Sequence, residues 1–102
     1  MSNTHGGKAV VVTGASKGIG FACALAFARA GARVALVSRS RANLDAALAK
    51  FAGVPHPPVA IVADLGDADQ AARAIAEAEA KLGPIDVLVN SAGAAKRYAP
   101  DD

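Results

Sequence analysis

Several residue types are scarce in these 102 residues, and each scarcity excludes something. Tryptophan is absent and only three Phe and one Tyr occur, so no core built on large aromatic anchors is available. The single cysteine, Cys23, excludes an internal disulfide framework and a multi-cysteine metal site. Its place in an apolar stretch predicts a small buried hydrophobe. The two histidines, His5 and His56, have no second ligand near them in sequence, so metal binding has no support. No apolar run reaches the roughly 18–20 residues of a membrane span, because Lys, Arg, Asp or Gly interrupts each one. The opening residues hold no charged region followed by an apolar stretch and a cleavage site, so they read as no secretory signal. A cytoplasmic protein without a membrane partner is the expectation.

Alanine is what the chain has in plenty: 27 residues, beside 10 Val, 7 Leu and 4 Ile. Such an interior lets backbones approach closely. The length suits one domain. Net charge is +2, but it is unevenly spread. Residues 1–51 carry seven Lys or Arg and one acid, whereas residues 52–102 carry four bases and eight acids. The bases stand singly with no aromatics between them, which argues against a nucleic-acid partner.

Two apolar periods alternate along the chain. Residues 8–13 form a short β-branched run, followed by a glycine-rich turn and an alanine-rich stretch to Ala30. Gly31 stands where a left-handed helix cap belongs. Residues 33–38 form a second run. Residues 41–52 read as a helix, with Leu44, Leu48 and Phe51 along one face. Pro55, Pro57 and Pro58 make a stiff turn before a third strand at 59–63. Asp67 and Asp69 open a further helix that carries Lys81 near its end and stops at Gly83-Pro84. Residues 85–89 form a fourth strand. Each strand is a near-continuous apolar run, which predicts strands buried on both faces of a parallel sheet with helices on each side. The expected fold class is α/β: a Rossmann-like three-layer arrangement, here its first β-α-β-α-β-α-β portion. Residues 1–7 are expected to be a flexible tail and residues 8–95 the folded unit.

The segment Gly14-Ala15-Ser16-Lys17-Gly18-Ile19-Gly20 carries the most chemistry. Gly14 permits a sharp turn off the strand, Gly18 lets backbone approach a pyrophosphate, and Gly20 lets the following helix pack closely. A phosphate would then meet free N–H groups at the positive end of that helix. The spacing is G-x-x-x-G-x-G, and no Gly-Lys-Ser/Thr follows, so it is not a Walker loop.

Thr13-Gly14-Ala15-Ser16-Lys17-Gly18-Ile19-Gly20 resembles the cofactor fingerprint of the short-chain dehydrogenase/reductase family. Asp64-Leu65 resembles that family's Asp that contacts the adenine ring. Asn90-Ser91-Ala92-Gly93 resembles its Asn-Asn-Ala-Gly motif, with Ser in the second place. The resemblance covers residues 8–95. It implies hydride transfer between a nicotinamide cofactor and a small-molecule carbonyl or alcohol, by a protein that forms a dimer or tetramer at full length.

An NAD-binding unit carries an acid about 20 residues after the glycine motif, for the ribose 2′-OH. Here that position reads Ser38-Arg39-Ser40. Arg39 can stack on adenine and bond a 2′-phosphate, Lys17 adds a second cation, and Ser38 and Ser40 are small donors. NADP(H) is therefore expected over NAD(H). The missing acid also argues against an S-adenosylmethionine site. Asn90 reads as a tie between neighbouring strand ends, with Ala92 and Gly93 leaving room for the cofactor ribose. Thr13 reads as a brace for the loop.

The family's Tyr-x-x-x-Lys motif has no counterpart. The one tyrosine, Tyr98, is followed four residues later by Asp102. No catalytic residue is assigned, and the chain reads as the N-terminal part of a longer enzyme, inactive alone, with 96–102 leading into the remainder. The other reading is a stand-alone, non-catalytic nucleotide-binding module that oligomerises through its open sheet edge.

Overall fold

Valine and isoleucine in short runs favour the pleated, fully buried backbone of central strands. The computed structural model describes residues 7–14 and 18–90. The elements run β1 (Ala9–Thr13), α1 (Gly18–Arg29), β2 (Arg33–Ser38), α2 (Arg41–Leu48), β3 (Val59–Val62), α3 (Ala68–Leu82) and β4 (Val87–Asn90). All pairings are parallel, in the order β3-β2-β1-β4. The fold is the expected Rossmann-like α/β arrangement. All but one residue of the tail expected at 1–7, and the whole of 96–102, lie outside the described residues.

Two apolar clusters sandwich the sheet. Val10, Val12, Val34 and Leu36 face Ala24 and Ala28 of α1 and Leu44 and Ala47 of α2. Ala9, Val11, Ala35, Val37 and Ile61 face Ala74, Ala78 and Leu82 of α3. Crossovers of one hand put α1 and α2 on the same face while the chain travels outward through β2 to β3; its return to β4 puts α3 on the other. The helix residues that meet the sheet are mostly alanine, at spacings of four. Burial on both faces holds for β1 and the middle of β2. It fails at β4, an edge of the described sheet, where Leu88 is 56% exposed. A strand with one neighbour has less to cover it.

The helix ends follow local chemistry. Gly31 has φ 95°; its N–H reaches Ala28 O and the Ala32 N–H reaches Phe27 O, the paired bonds of a Schellman cap. Gly83 ends α3 with φ 88°. The second helix stops at Leu48, short of the expected residue 52. The Lys50 and Phe51 N–H groups bond to Ala47 O and Leu48 O, tightening the last turn, and Gly53 follows with φ 85°. Phe51 still reaches the core and meets the Phe21 ring edge-on at 5.6 Å. A residue three positions on falls on the same face in either kind of turn, so the apolar spacing could not mark this end.

Two polar clamps close the end of the sheet where its strands begin. The Arg33 guanidinium donates to Gly7 O and to Leu82 O, joining the entry of β1 to the end of α3. The Asp86 carboxylate accepts the Ala9 N–H at 2.9 Å while the Asp86 N–H donates to Ala9 O at 2.8 Å. Leu36→Ala, at a fully buried side chain, should cost about 2–5 kcal/mol in urea unfolding, whereas Leu88→Ala should cost under about 1 kcal/mol.

Candidate functional site

Because all four strands run parallel, their C-terminal ends emerge at one edge of the sheet. The register sets Thr13 beside Val37 and Asn90, and Ser38 beside Val62. Hydrogen bonds continue this alignment past the strands: Gly14 N–H to Val37 O at 2.9 Å and Ala63 N–H to Ser38 O at 3.0 Å. Gly14, Ser38-Arg39, Asp64 and Asn90 therefore share that edge. The strand order reverses between β1 and β4, and the crevice outside such a reversal is where open α/β sheets take ligands.

At the exit of β1, Gly14 and Gly18 hold φ values of 65° and 58°, a region that glycine enters without steric cost. A Cβ built on Gly18 would meet nothing within 4 Å among the described residues. Gly20 is buried, on the same face of α1 as Ala24 and Ala28. Ile19 is 78% exposed. No acid stands in the first turn of α1 to compete with an anion for its positive end. Ser16 and Lys17 lie outside the described residues.

At the exit of β2, Ser40 is the N-cap of α2, and its Oγ accepts the Asn43 N–H at 3.1 Å. A hydroxyl that accepts one bond still has its own proton to donate. Ser38 Oγ accepts the Ser40 N–H at 3.4 Å. Arg39 is exposed and makes no ion pair among the described residues, whereas Arg41 pairs with Asp45. The nearest acid after β2 is thus occupied by another cation.

At the exit of β3, Asp64 begins a turn. Its Oδ1 accepts the Gly66 N–H at 2.9 Å and its carbonyl accepts the Asp67 N–H at 3.1 Å. Its own N–H donates to Gln70 Oε1 at 2.8 Å. Asp64 Oδ2 makes no hydrogen bond among the described residues. The Leu65 side chain packs against the α3-side cluster, leaving its backbone at the edge. The sequence reading passed over Gln70. The signal was there: Asp67-Ala68-Asp69-Gln70 has the capping-box spacing, and Asp67 Oδ1 caps the N–H groups of Asp69 and Gln70.

At the exit of β4, Thr13 Oγ1 donates to Asn90 Oδ1 at 2.9 Å, with Val89 O at 3.4 Å. This is the expected tie between strand ends, made by a threonine only 5% exposed. Ala92 and Gly93 lie outside the described residues, as do His5 and Tyr98. Cys23 is half-buried, not the fully buried hydrophobe expected, because α1 offers the sheet its Gly20, Ala24 and Ala28 face. His56 is exposed in the proline turn. Among the described residues, no group of three His, Cys, Asp or Glu could hold a metal ion, and no helix is long and apolar enough to cross a membrane.

Thr13→Val should destabilise the protein by about 0.5–1.5 kcal/mol in denaturant unfolding. Combined with Asn90→Ala it should show a coupling of about 0.5 kcal/mol or more, since the two side chains share one bond. Strict additivity would mean that the tie contributes nothing.

A family model described as short chain dehydrogenase matches residues 8–101. A short chain dehydrogenase of Monascus purpureus is 46% identical over 101 residues, covering 92% of this chain and 34% of that protein. Among solved structures, a dehydrogenase/reductase from Sinorhizobium meliloti is 41% identical with a TM-score of 0.81, over 88% of this chain and 36% of that one. The L-sorbose reductase of Gluconobacter frateurii, solved with NADPH and L-sorbose, is 28% identical with a TM-score of 0.79, over 86% of this chain and 34% of that one. The chain spans about a third of the length of the curated relatives it matches. With its four strand exits gathered beside a glycine turn, and a family match running from β1 past β4, this chain belongs to the short-chain dehydrogenase family.

Proposed function

We propose that the protein is an NADP(H)-dependent oxidoreductase acting on a small-molecule carbonyl or alcohol, with residues 8–95 as its cofactor-binding portion. The observation that carries this reading is Arg39, exposed at the end of β2 and in no ion pair among the described residues, where an acid would repel a 2′-phosphate. The residues fit the dinucleotide. No described residue comes within 4 Å of a Cβ placed on Gly18, which suits the close approach of a pyrophosphate, and the opening turn of α1 supplies N–H groups without intrahelical partners.

When bound, the nicotinamide supplies or accepts the hydride, and the protein's part is to bind and orient. In this reading Gly14, Ser16, Gly18, Ile19 and Gly20 form the pyrophosphate turn. Lys17 and Arg39, helped by Ser38 and Ser40, hold the 2′-phosphate. Asp64 and Leu65 border the adenine; Asn90, Ala92 and Gly93 border the nicotinamide-side ribose. No residue of this chain is given a catalytic role. The NADPH present in the crystal of L-sorbose reductase supports the choice of cofactor by likeness. A cytoplasmic homo-oligomer, dimer or tetramer, completes the proposal.

Fluorescence titration tests it. NADPH should bind at least about tenfold more tightly than NADH, and Arg39→Asp should weaken NADPH by about tenfold or more with NADH affinity held within about threefold. Equal affinities in the unmodified protein, or an Arg39→Asp variant with undiminished NADPH binding, would overturn the cofactor assignment.

A further inference from the structure

We infer that Gln70 is the positioning residue that sets Asp64 toward the adenine of the cofactor. The inference rests on the proposal above that Asp64 borders that ring. In an ordinary capping box the Glu or Gln three residues into the helix reaches back to the N–H of the capping residue itself. Here Asp67 is that capping residue, and its N–H is already given to Asp64 O at 3.1 Å. The Gln70 arm passes over it and takes the N–H of Asp64, three residues earlier, at 2.8 Å.

Asp64 is thereby held at three points. Its N–H is fixed by Gln70, its carbonyl by Asp67, and its Oδ1 by the Gly66 N–H at 2.9 Å. The fit around the carboxylate is tight: a Cβ on Gly66 would come within 3.2 Å of Asp64 Oδ1. The oxygen without a hydrogen bond among the described residues is Oδ2, on a half-buried side chain at the carboxyl edge of the sheet. A carboxylate oxygen only accepts, and the one N–H donor on the adenine base of a dinucleotide is its 6-amino group. Fixing three of the four polar groups of Asp64 directs the fourth at little further entropic cost when the ring arrives. Gln70 acts through Asp64 and touches no reacting atom.

The test compares NADPH with reduced nicotinamide hypoxanthine dinucleotide phosphate, in which an oxo group replaces the adenine 6-amino group. Dissociation constants are measured by fluorescence on the intact protein, with melting temperature followed in parallel. The unmodified protein should prefer NADPH by about tenfold, and Gln70→Ala should reduce that preference to about twofold or less. Gln70→Glu should restore most of it, because a carboxylate oxygen accepts the same N–H and suits the same capping position. If Gln70→Ala weakens both nucleotides by one factor and leaves the ratio intact, Gln70 is only structural and the inference falls. Asp64→Ala separates the two levels. A ratio that survives Asp64→Ala overturns the adenine reading itself. A ratio abolished by Asp64→Ala but kept by Gln70→Ala overturns the role of Gln70 alone.

Discussion

The pairing of β1 with β2 on one side and with β4 on the other holds the remaining structure in place. All five residues of β1 are buried, so its backbone groups must be satisfied by those two neighbours, and a slip of one residue would exchange its two apolar faces. The register with β2 carries Gly14 to Val37 O and so fixes where the chain leaves the sheet. The register with β4 carries Thr13 to Asn90. The site edge is set by these two ladders before any loop residue contributes.

Small residues make the second constraint work. Glycine and alanine on α1 and alanine on α3 let helices lie close to the sheet, which brings the opening of α1 directly over the β1 exit. The cost is little buried area per side chain. Leu36, Leu44, Ile61 and the valines of β1 and β2 supply most of what is fully buried. The aromatic contact of Phe21 and Phe51 fills the margin beside α2, with the Lys50 ammonium 5.7 Å from the Phe21 ring centre.

The four strand exits differ in chemistry, and each is oriented by bonds made close to it. Glycine conformation shapes the first, the cap of α2 the second, an aspartate turn held by three hydrogen bonds the third and a threonine–asparagine tie the fourth. The charges agree with one another. The first acid after Arg39 in sequence, Asp45, is paired with Arg41, and Glu77 of α3 pairs with Arg73 and Lys81. Arg39 stands exposed at the end of β2 with no ion pair among the described residues.

The sequence by itself determined the alternation of elements, the glycine turns at 14, 18, 31 and 83, the absence of an acid after β2, and the order of the three motifs. All of these depend on residues close together along the chain, where period, φ and capping act. Tertiary structure decided what depends on distant partners. Asp86 and Ala9 stand 77 positions apart, Arg33 and Leu82 stand 49 apart, and neither clamp leaves a trace in local pattern. The end of α2 was not legible in the apolar spacing either, since Phe51 packs on Phe21 whether its turn is wide or tight. Gln70 lies between the two cases. Its capping-box spacing is written in the sequence, but its arm goes to Asp64 because the folded turn has already used the N–H of Asp67.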